Sequence, residues 1–171
     1  MKTDMNKIEK DCEDGIKKET NKHLIISKIK DGTVIDHITS GMAILVLKIL
    51  GIGVNTREAV SMAMNVPSSK MGKKDIVKVE GKFISEDELN KIALIAPQAT
   101  INLIENFKIT KKFEVSPPKV VERIISCPNR NCISNSREPI SSRFNIYLED
   151  NKVIAKCDYC GKKISNIEKF I

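Results

Sequence analysis

A chain of 171 residues with 41% hydrophobic content has room for one ordinary domain or two small ones. Five phenylalanines, two tyrosines and no tryptophan leave its core to Ile, Val and Leu. The 29 basic residues outweigh the 22 acidic ones, and the net charge of +7 favours anionic partners unless it is only a solvated lysine-rich surface.

Residues 1–22 are densely charged and contain no apolar h-region, which predicts a flexible solvated tail, no signal peptide and a cytoplasmic protein. His23 to Ile29 is an apolar, β-branched run, followed by a turn signal at Lys30-Asp31-Gly32. Val34 to Ile38 reads as a strand. Ser40 is placed to cap a helix from Gly41 to Leu50, closed by Gly51-Ile52-Gly53. That helix is apolar nearly all round and belongs buried against a sheet. Its run from Met42 to Val54 is interrupted by Lys48 and falls short of the roughly 20 residues that span a bilayer. Ala59 to Val66 and Asp75 to Glu80 are strands, the first ending at Pro67-Ser68-Ser69. Ser85 and Glu88 form a capping box that opens a helix ending before Pro97. Thr100 to Phe107 and Ile109 to Val115 are two further strands. This order predicts an α+β fold: a ferredoxin-like N-terminal sheet with two helices on one face. Ser116-Pro117-Pro118 reads as a hinge, and residues 116–171 form a second, small β-rich domain.

That second domain carries Cys127-x4-Cys132 and, after 24 intervening residues, Cys157-x2-Cys160. Two short loops that each present two sulfurs match the tetrahedral demand of one structural Zn2+. The strands Phe144 to Leu148 and Val153 to Lys156 hold the loops together, and Gly161 suits a tight knuckle because it accepts positive φ. Two disulfides are disfavoured in a reducing compartment, and a redox Cys-x-x-Cys leaves Cys127 and Cys132 without a role. Four thiolates leave no open position for catalysis. Cys12 stands apart as a free thiol.

The N-terminal part carries three elements suited to an anion. Gly32 to His37 supplies Asp36 and His37, which an unbroken strand points to opposite faces. Met71 to Lys78 places Lys74 and Lys78 on one face about 13 Å apart. Ala96 to Asn102 is followed by Lys108, Lys111 and Lys112. Singly these are weak signals, since strand lysines are usually a solvated face.

Together, Gly32-Thr33-Val34-Ile35-Asp36-His37, Met71-Gly72-Lys73-Lys74-Asp75, Ala96-Pro97-Gln98-Ala99-Thr100 and Cys127-Pro128-Asn129-Arg130-Asn131-Cys132-Ile133-Ser134 resemble the regulatory chain of aspartate carbamoyltransferase. The resemblance implies a non-catalytic subunit of pyrimidine biosynthesis, with a nucleotide-binding allosteric domain at 23–115 and a zinc-binding domain at 116–171. It implies CTP and ATP as effectors, with Asp36 and Lys78 at the ribose, and His37, Lys112 and Lys74 toward the triphosphate. Ile29 and Val34 then pack the base, and Asn102, Ile104 and Ile109 line the remainder. It further implies a regulatory-chain homodimer, with a zinc domain that docks on the catalytic chain near Asn129, Asn131, Tyr159 and Lys162. Neither nucleic acid nor membrane is an expected partner.

A zinc-ribbon nucleic-acid-binding protein is the competing reading. It needs exposed aromatics among the ribbon's basic residues, and only Phe144, Tyr147, Tyr159 and Phe170 are available. An enzyme using Asp36 and His37 lacks a nucleophile with a positioned base.

Overall fold

The computed structural model describes residues 28–136 and 139–171. The tail 1–22, Cys12 and most of the run from His23 therefore lie outside the described residues. Among the described residues there are nine strands and two α-helices, with the strands in two sheets.

The first sheet contains β1 (Gly32–Thr39), β2 (Val60–Ser68), β3 (Gly72–Glu80), β4 (Thr100–Glu105) and β5 (Lys108–Glu114). Their spatial order is β2-β3-β1-β4-β5, antiparallel at every pairing. Helices α1 (Ala43–Ile49) and α2 (Glu86–Ile95) both cover one face, giving the expected ferredoxin-like arrangement with an added edge strand. Period-two alternation explains why: Ile35, Val77, Val79 and Ile101 point into a core shared with Val46, Leu50, Ile92 and Ala96. Intervening residues such as Val34, Lys78 and Asn102 stay on the uncovered face.

Several local expectations meet a tertiary alternative. Pro67 does not end β2, which runs on to Ser68. β2 lies at the sheet edge, where a residue without an N–H breaks no ladder. Phe107 is not in a strand. Asn106 and Phe107, at φ 50° and 62°, form the two-residue turn between β4 and β5, with the left-handed backbone that matches strand twist. Ser40 does not cap α1. Its hydroxyl bonds the Asn65 side chain, while Asp75 on β3 accepts from the N–H groups of Gly41 (2.8 Å) and Ala43 (3.1 Å). The Ser85–Glu88 capping box on α2 forms in both directions.

The most consequential departure lies in β1. Register slips between Ile35, opposite Val77, and Ile38, opposite Asp75. Asp36 and His37 thus share the place facing Ile76, and His37 takes φ 57°. This bulge overturns the expectation of opposite faces: the His37 Nδ1 lies 3.3 Å from an Asp36 carboxylate oxygen.

The second sheet has order β6-β7-β8-β9, from β6 (Val120–Glu122), β7 (Arg143–Glu149), β8 (Lys152–Cys157) and β9 (Lys163–Ile164). Phe144, Ile125, Val153 and Ala155 form its small core together with three of the cysteines. Leu94 of α2 packs into this second core, and Ile171 packs against both.

Gly32 opens β1 at φ +134°, where a Cβ would lie 2.2 Å from the Val79 carbonyl oxygen. Gly32→Ala must therefore push β1 off β3. A loss of roughly 2–3 kcal/mol is expected in urea denaturation, and an unchanged midpoint would refute this account of the β1–β3 contact.

Candidate functional site

The uncovered face of the first sheet holds a pocket of about 290 Å³. Its walls follow from strand register. Lys78 pairs with Val34, Val34 with Asn102, and Asn102 with Lys112, making one straight row across four strands. Three interstrand steps of about 4.8 Å set the backbones of the two lysines about 14 Å apart. Asp36 and His37 stand at one side of this row, with Thr100 beside them, and Ile104 and Ile109 close the other. The pocket therefore offers cations, a carboxylate and an apolar shelf in one hollow.

The acidic corner is already organised. Lys74 Nζ lies 2.7 and 2.9 Å from the two Asp36 carboxylate oxygens, and the His37 backbone N–H donates to one of them at 2.7 Å. Among the described residues His37 Nδ1 is buried without a hydrogen-bond partner, so its 3.3 Å approach to the carboxylate is a close contact and not an aligned hydrogen bond. Partial burial holds the Lys78 ammonium below the ordinary lysine value, with the negative charge of Asp36 opposing the shift.

Eight of the ten residues expected at a nucleotide fall on this wall: Val34, Asp36, His37, Lys78, Asn102, Ile104, Ile109 and Lys112. Lys74 reaches it only through Asp36. Ile29 is buried beside the start of β1, off the pocket wall. Thr100 was not among the expected residues, although its alternation with Asn102 and Ile104 on β4 carries the signal. A larger hollow of about 550 Å³ lies beside residues 50–58, but among the described residues Arg57 and Lys82 are its only cations and Glu58 sits with them.

The cysteines form a second site. Their four sulfurs lie within 4.8 Å of one another, with Cys127–Cys160 at 3.6 Å and Cys132–Cys157 at 3.7 Å. A disulfide requires about 2.05 Å. A tetrahedron with metal–sulfur bonds of about 2.3 Å has edges of about 3.8 Å, so the set fits one metal ion. Burial pushes the Cys127 thiol up to about 12, whereas the Lys162 backbone N–H helps pull the surface thiol of Cys160 down to about 6. A bound cation offsets the cost of ionising such a cluster. Gly161 has φ 71°, as the knuckle requires.

The supporting contacts were not foreseen. Ser134 Oγ donates to the Cys132 sulfur at 3.2 Å, and the Asn135 amide donates to the carbonyls of Cys127 and Asn129 at 2.8 Å each. Of the positions expected to face another chain, Asn129 and Asn131 are tied together in the first loop by a 3.1 Å bond. Tyr159, 45% exposed, bonds the Ser141 carbonyl, and Lys162 is exposed. The nucleic-acid reading loses ground here: Arg143 pairs with Glu122 and Asp158, and Phe144 is fully buried.

Fold and sites together define a sheet with a charged open-face pocket joined to a second domain built around a four-cysteine cluster. Residues 24–116 match the family described as aspartate carbamoyltransferase regulatory chain, allosteric domain, and residues 119–169 match the corresponding metal binding domain. A regulatory chain of Archaeoglobus fulgidus is 62% identical over 151 residues, covering 88% of this chain and 99% of that relative. Those of Pyrococcus horikoshii and Thermoplasma acidophilum are 49% and 44% identical, over 85% and 87% of this chain and 95% and 98% of their own. The chain belongs to the aspartate carbamoyltransferase regulatory chain family. It is thus a regulatory, non-catalytic chain with an allosteric and a metal-binding domain.

Because thiols held high, such as Cys127, regain a proton when the metal leaves, affinity for the metal falls as pH falls. Dialysis at stepped pH, with metal counted by atomic absorption, is expected to show retention near neutrality and steep loss on acidification. A pH-independent metal content would contradict the four-thiolate site.

Proposed function

We propose that this chain is the regulatory subunit of an aspartate carbamoyltransferase in pyrimidine biosynthesis, with CTP and ATP as allosteric effectors at the open-face pocket. The observation that carries this reading is the β1 bulge, which puts Asp36 and His37 beside the Lys78–Val34–Asn102–Lys112 row. Residues 23–115 serve as the nucleotide-binding domain and 116–171 as the zinc domain. The Asp36 carboxylate, held by Lys74, accepts from ribose hydroxyls, with Lys78 beside it. Lys112 and His37 take the phosphates, and Val34, Ile104 and Ile109 pack the base. Ile29 supports the base region from behind the wall.

The metal is zinc, the ion that four thiolates in a closed tetrahedron select most commonly in structural sites. The zinc domain docks on the catalytic chain around Asn129, Asn131, Tyr159 and Lys162, and two regulatory chains associate as a homodimer. The complex works in the cytoplasm, where these thiols stay reduced.

Calorimetry on the full chain tests the pocket. CTP and ATP are expected to bind, and Lys78→Ala to weaken both by roughly tenfold or more, about the value of one charge-assisted hydrogen bond, with metal content unchanged. Tight binding of an oligonucleotide without binding of either nucleotide would overturn the reading. Docking has its own test. Stripping the zinc is expected to release the catalytic chain in size-exclusion chromatography while nucleotide affinity persists. Normal assembly of the metal-free chain would disprove the docking role.

A further inference from the structure

Asp75 is fully buried in the first sheet. Its carboxylate accepts three backbone N–H groups from two other parts of the chain. One oxygen takes Asn65 of β2 at 2.8 Å; the other takes Gly41 and Ala43, at 2.8 and 3.1 Å, where β1 turns into α1. These N–H groups lie where the backbone leaves the regular ladder; Ala43 is fully buried and its N–H needs an acceptor, whereas Gly41 and Asn65 are exposed.

The irregularities flank Asp75 on both sides. On β2, register slips between Ala63 and Val66, so that Met64 and Asn65 share the place facing Asp75, with Asn65 at φ 57°. On β1, the slip at Asp36–His37 ends at Ile38, which pairs with Asp75 itself. Three residues separate His37 from Gly41, and that segment is tied to Asp75 twice, at Ile38 through the ladder and at Gly41 through the carboxylate. The bulge that brings Asp36 and His37 together is thus anchored to a buried charge. The same anchor holds the first turn of α1, whose Leu45 and Ile49 line an interdomain cleft with Ile124 and Ile171.

We infer that Asp75 is a positioning residue for effector binding: it fixes the β1 bulge in the shape that presents Asp36 and His37, and it ties occupancy of the pocket to the start of α1. This inference rests on the nucleotide-effector reading of the pocket. If Asp75 were only a fold-stabilising group, its replacement would lower stability and leave the affinity of the folded protein for nucleotide unchanged. A positioning role moves affinity as well. It also makes the three anchored amides respond when the pocket fills, although none of them touches it.

The test uses the full chain in two measurements. In the wild type, saturating CTP is expected to slow hydrogen exchange at Gly41, Ala43 and Asn65 by roughly tenfold, with Ala155 in the metal domain unaffected as the control. Asp75→Asn turns an amide donor toward N–H groups that need an acceptor. It is expected to weaken CTP and ATP roughly tenfold by calorimetry while retaining its metal. Unchanged exchange at all three amides under confirmed CTP saturation would overturn the role of Asp75, as would wild-type affinity in Asp75→Asn. Should that variant fail to fold, the wild-type exchange decides alone. A wild type that binds neither nucleotide is a different result: it removes the effector reading itself, and the positioning role with it.

Discussion

A single extra residue in β1 sets which side chains line the pocket on this sheet. Side chains on a regular strand alternate faces, so neighbouring residues cannot serve one ligand from the same side. The bulge at Asp36–His37 breaks that rule at one place, and it is stable because the strand on either side remains fully paired. Ile35 still enters the core and Val34 still faces the pocket. The carboxylate and imidazole are gained without loss of the apolar packing beneath them.

The two halves of the chain solve the problem of small size differently. The first sheet buries one face under two helices and needs no staple. The second has a core built around Phe144 and a few aliphatic residues, and three cysteines supply part of that core themselves. Metal binding of this kind is worth on the order of 10–16 kcal/mol, which a core of that size cannot match by burial alone. The supporting bonds from Ser134 and Asn135 hold the first cysteine loop in shape, so the ion meets sulfurs that are already oriented.

Local signals were legible and long-range ones were not. The Ser85–Glu88 capping box, the alternation of Val77 and Val79, the four-cysteine spacing and the Gly161 knuckle all act within a few residues, and each takes its expected form. Ser40 shows the opposite case. It has the chemistry of a cap and the right position, yet Asp75, 34 residues from Gly41, takes the role because the sheet carries it there. The β1 bulge was equally hidden, since Asp36-His37 has no glycine to mark a left-handed residue. Most pocket residues were nevertheless found, because the resemblance supplied what periodicity could not. Thr100 was within reach of periodicity alone.

The layering of the molecule constrains how a bound effector could act on a partner. The pocket opens on the bare face of the sheet, while the metal domain meets the chain on the helix side, through Leu94 of α2 and through Ile171. A signal must therefore cross the thickness of the sheet rather than travel along its surface. Apolar side chains in a close-packed layer transmit displacement poorly unless some element has two discrete arrangements. Most residues of β1, β3 and β4 are held by ladder bonds on both sides and leave little room for a second state. The backbone between His37 and Ala43 is different: Ile38 and Thr39 pair with β3 alone, the Gly41 and Ala43 N–H groups beyond them bond one carboxylate, and the segment leads directly into a helix. With the proposed effector in the pocket, coupling to the metal domain is thus most economically carried where the sheet is least regular, which is also where Asp36 and His37 stand.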